Sequence, residues 1–297
     1  MPPPDKIRAE GVLYVAFGDA YVAMALNSAR TLRETGCRVP VSIVSSVPLS
    51  RISLGLQDEL APLIWQHLEL AVEQNREVKT CAIEHSPFDR TLMIDCDTVI
   101  LRDVSMGFGL LDHFDVCIKL NQLGQVNREK GQYHLDGIGH VADLPHWNSG
   151  VLLFRRGDGA SDFFARWNDA YRRLHAPWDQ IGLVQAVFET EARVLSLDDR
   201  WNSQGKQPSR QAYIHHYTSA VTPQLQARIC DAAAEVEGFD IAEIHRFLNA
   251  RFEDRMRRRG KAAADRQTRD RPLANLPQRV VASVRRGRTR LRLGGRA

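Results

Sequence analysis

The sequence is short of paired cysteines. Five occur in 297 residues, at positions 37, 81, 96, 117 and 230, an odd number with no CxxC or other close pairing. That argues against a disulfide framework or a structural zinc site, and favours free thiols in a reducing compartment. Long apolar runs are missing too. No stretch approaches the roughly 20 residues a membrane span requires, and Met-Pro-Pro-Pro opens the chain without a long apolar core behind a basic start. Neither a span nor a signal peptide is expected. A GxGxxG fingerprint is absent after the first predicted strand, which weakens a dehydrogenase reading. Internal repeats are not apparent.

What is present is an ordinary globular composition, 43% apolar and 26% charged, with the charge unevenly placed. Residues 251–297 hold 16 Lys and Arg against 4 Asp and Glu, while residues 1–250 hold 24 against 32. The net charge of +4 therefore divides into −8 for the body and +12 for the tail. The expected organisation is one domain over 1–250 and a basic helical or disordered segment over 251–297. Val280, Val281, Val284 and Leu291 lie among arginines there, a pattern suited to an anionic membrane surface. The alternative is a solvated tail without a partner. Nucleic acid is not expected, because aromatics for base stacking are missing.

The chain opens on a βαβ pattern. Gly11 to Phe17 reads as a buried strand, Gly18-Asp19 as a turn, and Tyr21 to Thr35 as a helix, with Val22, Ala25, Leu26, Ala29 and Leu32 at helical spacing and Gly36 as its stop. Val39 to Val44 is a second strand. The unit predicts a parallel α/β sheet that binds ligands at its carboxyl edge. Leu56 to Leu70 carries no clear period. Arg76 to Ile83 reads as a short helix, Phe114 to Leu120 as a strand, and 121–145 as an irregular binding loop. Val151 to Phe154 is a strand. From Ser161 to Leu174 a helix presents Phe163, Phe164, Trp167 and Tyr171 as a core-facing stripe. A further helix opens at Trp178-Asp179-Gln180, Val194 to Leu197 and Ala212 to His216 read as strands, and Ile241 to Arg259 as a polar helix.

Thr91 to Ile100 is an apolar run interrupted by Asp95 and Asp97. Residues i and i+2 of an extended segment share a side, so both carboxylates can face one hard cation while Cys96 turns to the core. The same triplet also fits a strand running into an ordinary Asp-rich turn. It fits, as well, the nucleophile motif of haloacid-dehalogenase-like phosphatases, with Asp95 attacking phosphorus and Asp198-Asp199 as the late acidic pair. A catalytically silent glycan-binding protein is a third reading.

Several stretches recur together in one family. Tyr-Val-Ala-Phe-Gly-Asp-Ala-Tyr at 14–21, Lys79 followed by Ser-Pro-Phe-Asp-Arg-Thr-Leu-Met-Ile-Asp-Cys-Asp-Thr at 86–98, Asn-Ser-Gly-Val-Leu-Leu-Phe at 148–154, Trp-Asp-Gln at 178–180, Trp-Asn at 201–202 and Ile-His-His-Tyr-Thr at 214–218 carry the likeness. With them the chain resembles GT-A fold nucleotide-sugar glycosyltransferases, in particular the branch of glycogenin and the bacterial lipopolysaccharide galactosyltransferases. The resemblance implies a Rossmann-like, mostly parallel sheet flanked by helices. It also implies a hexosyltransferase acting with retention. The unpaired cysteines, the lack of a signal peptide and the basic tail are those expected of a cytoplasmic enzyme, peripheral at the inner face of the membrane.

Residue by residue, the resemblance makes Asp95, Asp97 and His216 ligands of Mn²⁺ or Mg²⁺. Tyr21 would stack on the base of a nucleotide-sugar donor, with uracil the base by family habit. Lys79 would meet the donor's phosphates, and Asn148, Ser149 and Gly150 would lie beside its sugar, Gly150 by close backbone approach. Phe17 and Cys96 belong to the same donor-binding set. Asp179 and Gln180 would face the reacting carbon, with Asn148 counted among the catalytic residues. The acceptor would be a glycan or a lipid-linked hydroxyl. The chain departs from the family at Gly18 and Ala20 around Asp19, and at Ser219, where the family has glycine and then Lys-Pro-Trp.

Overall fold

A computed structural model describes residues 8–71, 74–121, 133–175, 178–204 and 211–216. The expected basic segment, the boundary near 250 and the predicted helix over Ile241 to Arg259 lie outside the described residues.

In chain order the elements are β1 (Arg8–Ala16), α1 (Asp19–Glu34), β2 (Val41–Ser45), α2 (Leu54–Glu59), β3 (Leu63–His67), α3 (Asn75–Thr80), α4 (Ala82–His85), β4 (Phe88–Ile94) and β5 (Thr98–Ile100). They continue with β6 (Val116–Leu120), the short hairpin β7 (His134–Leu135) and β8 (Gly139–His140), β9 (Trp147–Arg155), α5 (Asp158–Leu174), α6 (Asp179–Glu189), β10 (Val194–Leu197) and β11 (Ile214–His216). The unassigned stretch from Leu56 to Leu70 resolves into most of α2 and all of β3. Every β3 residue from Leu63 to Gln66 is half-buried, so no alternation marks this edge strand.

Seven strands form the main sheet in the order β10-β6-β9-β4-β1-β2-β3. Neighbours are parallel except where β9 runs against both β4 and β6. After β1 the chain moves through α1 to β2 on one side, and later places β4 on the other. That reversal opens a crevice at the carboxyl ends of β1 and β4, where open α/β sheets bind ligands.

Period-two alternation builds the core on both faces. Val12, Tyr14, Ala16, Leu92 and Ile94 join the layer that α1 covers with Val22, Leu26, Ala29 and Leu32. Leu13, Val15, Phe17 and Met93 join the opposite layer with Phe163, Phe164 and Trp167 of α5. A sheet buried on both faces has nearly continuous apolar strands, which is why β1 and β4 are legible as such. The aromatic stripe of α5 faces the core as expected, with Tyr171 half-buried at its end. Gly36 ends α1 with φ +86°, a left-handed conformation that glycine adopts without strain. At Gly182 a Cβ would lie 2.8 Å from the backbone nitrogen of Tyr171, so the missing side chain lets α6 lie close against α5.

Candidate active site

The segment read as one strand is two. β4 stops at Ile94, a bend occupies Cys96 and Asp97, and β5 begins at Thr98. Asp95 N–H still donates to Gly150 O at 2.8 Å, while Cys96 is buried and its thiol donates to Val15 O at 3.2 Å. The two carboxylates thus come to one side with Cys96 turned inward, through a bend rather than through strand alternation.

A buried relay of hydroxyls holds that bend. Tyr14 Oη lies 3.0 Å from Ser28 Oγ, Ser28 Oγ lies 2.7 Å from Thr98 Oγ1, and Thr98 Oγ1 is 2.8 Å from Asp95 O. A carbonyl only accepts, so Thr98 donates to Asp95, Ser28 to Thr98, and Tyr14 to Ser28. Burial also pushes the Tyr14 phenol well above its ordinary pKa of 10.0, keeping it a donor.

His216 arrives from far along the chain. β11 pairs antiparallel with β5 and sets His216 opposite Thr98, one residue beyond Asp97. Its Nε2 lies 3.1 Å from Asp97 Oδ1 and 3.7 Å from Asp95 Oδ2. Among the described residues these three form the one group whose ligand atoms all fall within 4.8 Å of one another. Two carboxylates and an imidazole at that separation match the hard and borderline donors that Mn²⁺ and Mg²⁺ accept.

Lys79, from α3, faces the same acids. Its ammonium is 2.5 Å from Asp95 Oδ1, 3.1 Å from Ser149 Oγ and 3.8 Å from Asp179 Oδ2. Ser149 in turn donates to Asp179 Oδ2 at 2.6 Å. Burial works against the charge on Lys79, but Asp95 and Asp179 overcome it and hold its pKa above the ordinary value. Burial raises the Asp95 pKa against the pull of Lys79 and His216. For Asp97 burial also opposes the charge, yet His216 is near enough to leave its pKa lowered. His216 is the mirror case, disfavoured as a cation by burial and raised by Asp97 and Asp95. The four groups alternate in charge type, Lys79, Asp95, His216, Asp97, each facing a partner of the opposite sign.

These groups line a cleft of about 290 Å³ with Tyr21, Asn148, Ser149, Asp179 and Gln180. Asp179 and Gln180 open α6, and Trp167 Nε1 donates to Asp179 O at 2.8 Å, so the core stripe of α5 also docks the start of α6. The cleft also exposes Asn75, Arg76 and Trp178, which the sequence reading left without a role. Trp178 alone carried a signal, standing beside Asp179.

Four residues of the expected donor-binding set are engaged inside the protein. The Phe17 side chain is fully buried in the core, and Phe17 is not among the residues lining the cleft. Cys96 borders the cleft, but its thiol is spent on Val15 O. Gly150 does allow a close approach, but the group that approaches is the His216 ring: a Cβ there would stand 2.4 Å from its Cε1 and 2.6 Å from its Nδ1. Asn148 presents less than expected as well, since its Oδ1 accepts from Gly150 N–H and from Asn202 Nδ2, both at 2.8 Å, leaving its NH₂ for the cleft.

No family model matches the chain, and no curated protein does. Solved structures do. The glycosyltransferase GlyE of Streptococcus pneumoniae TIGR4 superposes with a TM-score of 0.53 at 19% identity, over 83% of this chain and 65% of that one. Its apo form gives 0.53 at 18% identity, over 84% and 64%. The chain has a GT-A glycosyltransferase fold. It spans just under two thirds of the GlyE chains it matches. The galactosyltransferase LgtC, solved with donor and acceptor sugar analogues, lies lower, with a TM-score of 0.49 and 12% identity over 76% of this chain and 96% of that one.

A GT-A fold does not favour the phosphatase alternative. The motif Asp stands at the end of the fourth strand, after a complete βαβ unit, and the late acidic pair is engaged elsewhere. Asp198 binds Arg200, and Asp199 lies 3.0 Å from the buried ammonium of Lys119.

Proposed function

We propose that the chain is a metal-dependent glycosyltransferase that moves a hexose from a nucleotide diphosphate to a hydroxyl of a glycan or lipid-linked acceptor. The observation that carries this reading is the convergence of Asp95, Asp97 and His216 beside Lys79 at the crevice between β1 and β4. Asp95, Asp97 and His216 would hold Mn²⁺ or Mg²⁺. When bound, such a cation neutralises charge on a departing diphosphate.

The chain's own groups supply the rest. In this reading Lys79 releases Asp95 and turns its charge to the phosphates, whose oxygens replace the carboxylate as its partner. Tyr21 offers a flat, half-buried face to the base, with uracil the base expected from the resemblance. The Asn148 NH₂ donates to sugar hydroxyls. Asp179, already held by Ser149 and Lys79, keeps a carboxylate oriented toward the reacting carbon, where an oxocarbenium-like charge develops, and Gln180 stands beside it on α6. Retention follows from the resemblance, and cytoplasmic residence from the unpaired cysteines. The role of residues 251–297 at an anionic membrane rests on their composition alone.

The deciding experiment screens nucleotide sugars for thermal stabilisation and hydrolysis with and without Mn²⁺. Mn²⁺-dependent stabilisation by one nucleotide diphosphate supports the reading. Hydrolysis of a generic phosphomonoester with Mg²⁺, and no nucleotide binding, would return the phosphatase.

A further inference from the structure

The cluster that positions His216 contains a residue with no assigned part. Asn202 is fully buried in the loop after β10. Its Nδ2 is 2.8 Å from Asn148 Oδ1, and its Oδ1 is 3.2 Å from His216 Nδ1. The backbone locks it in place: Ser203 N–H donates to Ile214 O, and His216 N–H donates to Ser203 O, both at 2.9 Å. Next to it Trp201 stacks on Tyr213, with centroids 4.7 Å apart and planes 18° from parallel.

Each proton in this cluster follows from one that has no freedom. Gly150 N–H is a backbone donor, so the Asn148 atom it meets at 2.8 Å is the carbonyl oxygen. That oxygen also faces Asn202, which must answer with its NH₂; the reverse orientation would set two oxygens 2.8 Å apart. With its nitrogen committed there, Asn202 turns its oxygen to His216 Nδ1. An oxygen acceptor at Nδ1 requires Nδ1–H; Nε2, 3.1 Å from the Asp97 carboxylate, which also only accepts, donates there as long as no cation takes that proton's place.

We propose that Asn202 is a positioning residue that accepts from Nδ1–H of His216, holds the ring in place and so directs Nε2 to the cation. The inference rests on the metal-dependent reading above. It makes the Gly150 backbone the origin of an order that passes through two amides to a ligand nitrogen. Partners of this kind stabilise metal sites substantially, and losing one costs about 10–100-fold in affinity.

The test uses the full chain. With ¹⁵N-labelled histidine, no metal and the ring protonated, the Nδ1 proton of His216 should be protected from exchange by its acceptor. A freely exchanging Nδ1 proton overturns the proposal without any substitution. In calorimetric titration with MnCl₂, Asn202→Ala should weaken binding about 10–100-fold and open the Nδ1 proton to exchange. Asn148→Asp, which keeps the acceptor for Gly150 and Asn202, should retain Nδ1–H. Unchanged Mn²⁺ affinity in Asn202→Ala overturns the positioning role, and if that variant does not fold, exchange of the wild-type Nδ1 proton decides. A wild-type chain with a protected Nδ1–H that binds no Mn²⁺ overturns the metal reading instead and leaves the Asn202 contact standing.

Discussion

Nε2 of His216 lies 3.1 Å from Oδ1 of Asp97, although β6, β9, α5, α6 and β10 all intervene between the two residues in sequence. The contact depends on a three-residue pairing of β5 with β11. It makes the candidate cation site an outcome of tertiary structure rather than of one motif.

Asp97→Asn should therefore lose more than the roughly 10–100-fold in Mn²⁺ affinity that a supporting residue costs, since it removes a ligand charge. The fold should survive, because Asp97 is one-fifth exposed and lies outside the sheet core. Calorimetry with MnCl₂ and a thermal melt in chelator separate the two effects; a variant binding as wild type would remove Asp97 from the ligand set.

Cation binding should also depend on pH in a definite sense. The cation competes with a proton for His216 Nε2, and the ring's pKa is raised from its ordinary 6.5. Mn²⁺ affinity should climb about tenfold per pH unit below that raised value and level off above it. His216→Gln should flatten the climb.

In the metal-free chain the sign reverses. A raised folded-state pKa means that protonated His216 favours the fold below the ordinary histidine range, and that this contribution is lost as pH rises through the raised value. Asp97, lowered, adds stability above the ordinary carboxylate range that is lost on acidification through its lowered value. Melts in chelator should show the alkaline loss in wild type and not in His216→Gln.

Gly150→Ala should damage the site from inside the sheet. The added methyl would meet the His216 ring at 2.4 Å and Asn148 Oδ1 at 2.8 Å, so one of them must move. A loss of about 1–3 kcal/mol in stability is expected from overpacking, together with weakened Mn²⁺ binding. Denaturant unfolding and calorimetry measure both.

Tyr14→Phe should act more gently. It removes the first donor of the relay that ends on Asp95 O, at a cost of about 1 kcal/mol, with the downstream hydroxyls still able to donate. Denaturant melts give the cost. A much larger loss would mean that the bend needs the whole relay.

Much of the fold was legible where local physics decides. Alternation and helical spacing mark β1, α1, β2 and β4 because both sheet faces are buried, and the aromatic stripe marks α5. Asp95, Asp97 and Lys79 were legible as a charged break at a strand end and by resemblance. Other features depend on partners distant in sequence. The reversal of β9 leaves no trace in its own apolar run, and the bend at Cys96 and Asp97 is fixed by Ser28 and Tyr14. What Gly150 makes room for is visible only once His216 is in place. Asn202 was read as half of a short Trp-Asn pair because its importance lies in two hydrogen bonds to other segments.

The reversed strand has an architectural consequence. The strands parallel to β1 reach the ligand edge with their last residues, but β9 reaches it with its first, Trp147 to Gly150, straight out of the connection from β6. The edge of the sheet can therefore change at the start of β9 while the hydrogen-bonded ladder behind it stays intact, so cleft and scaffold are able to diverge separately.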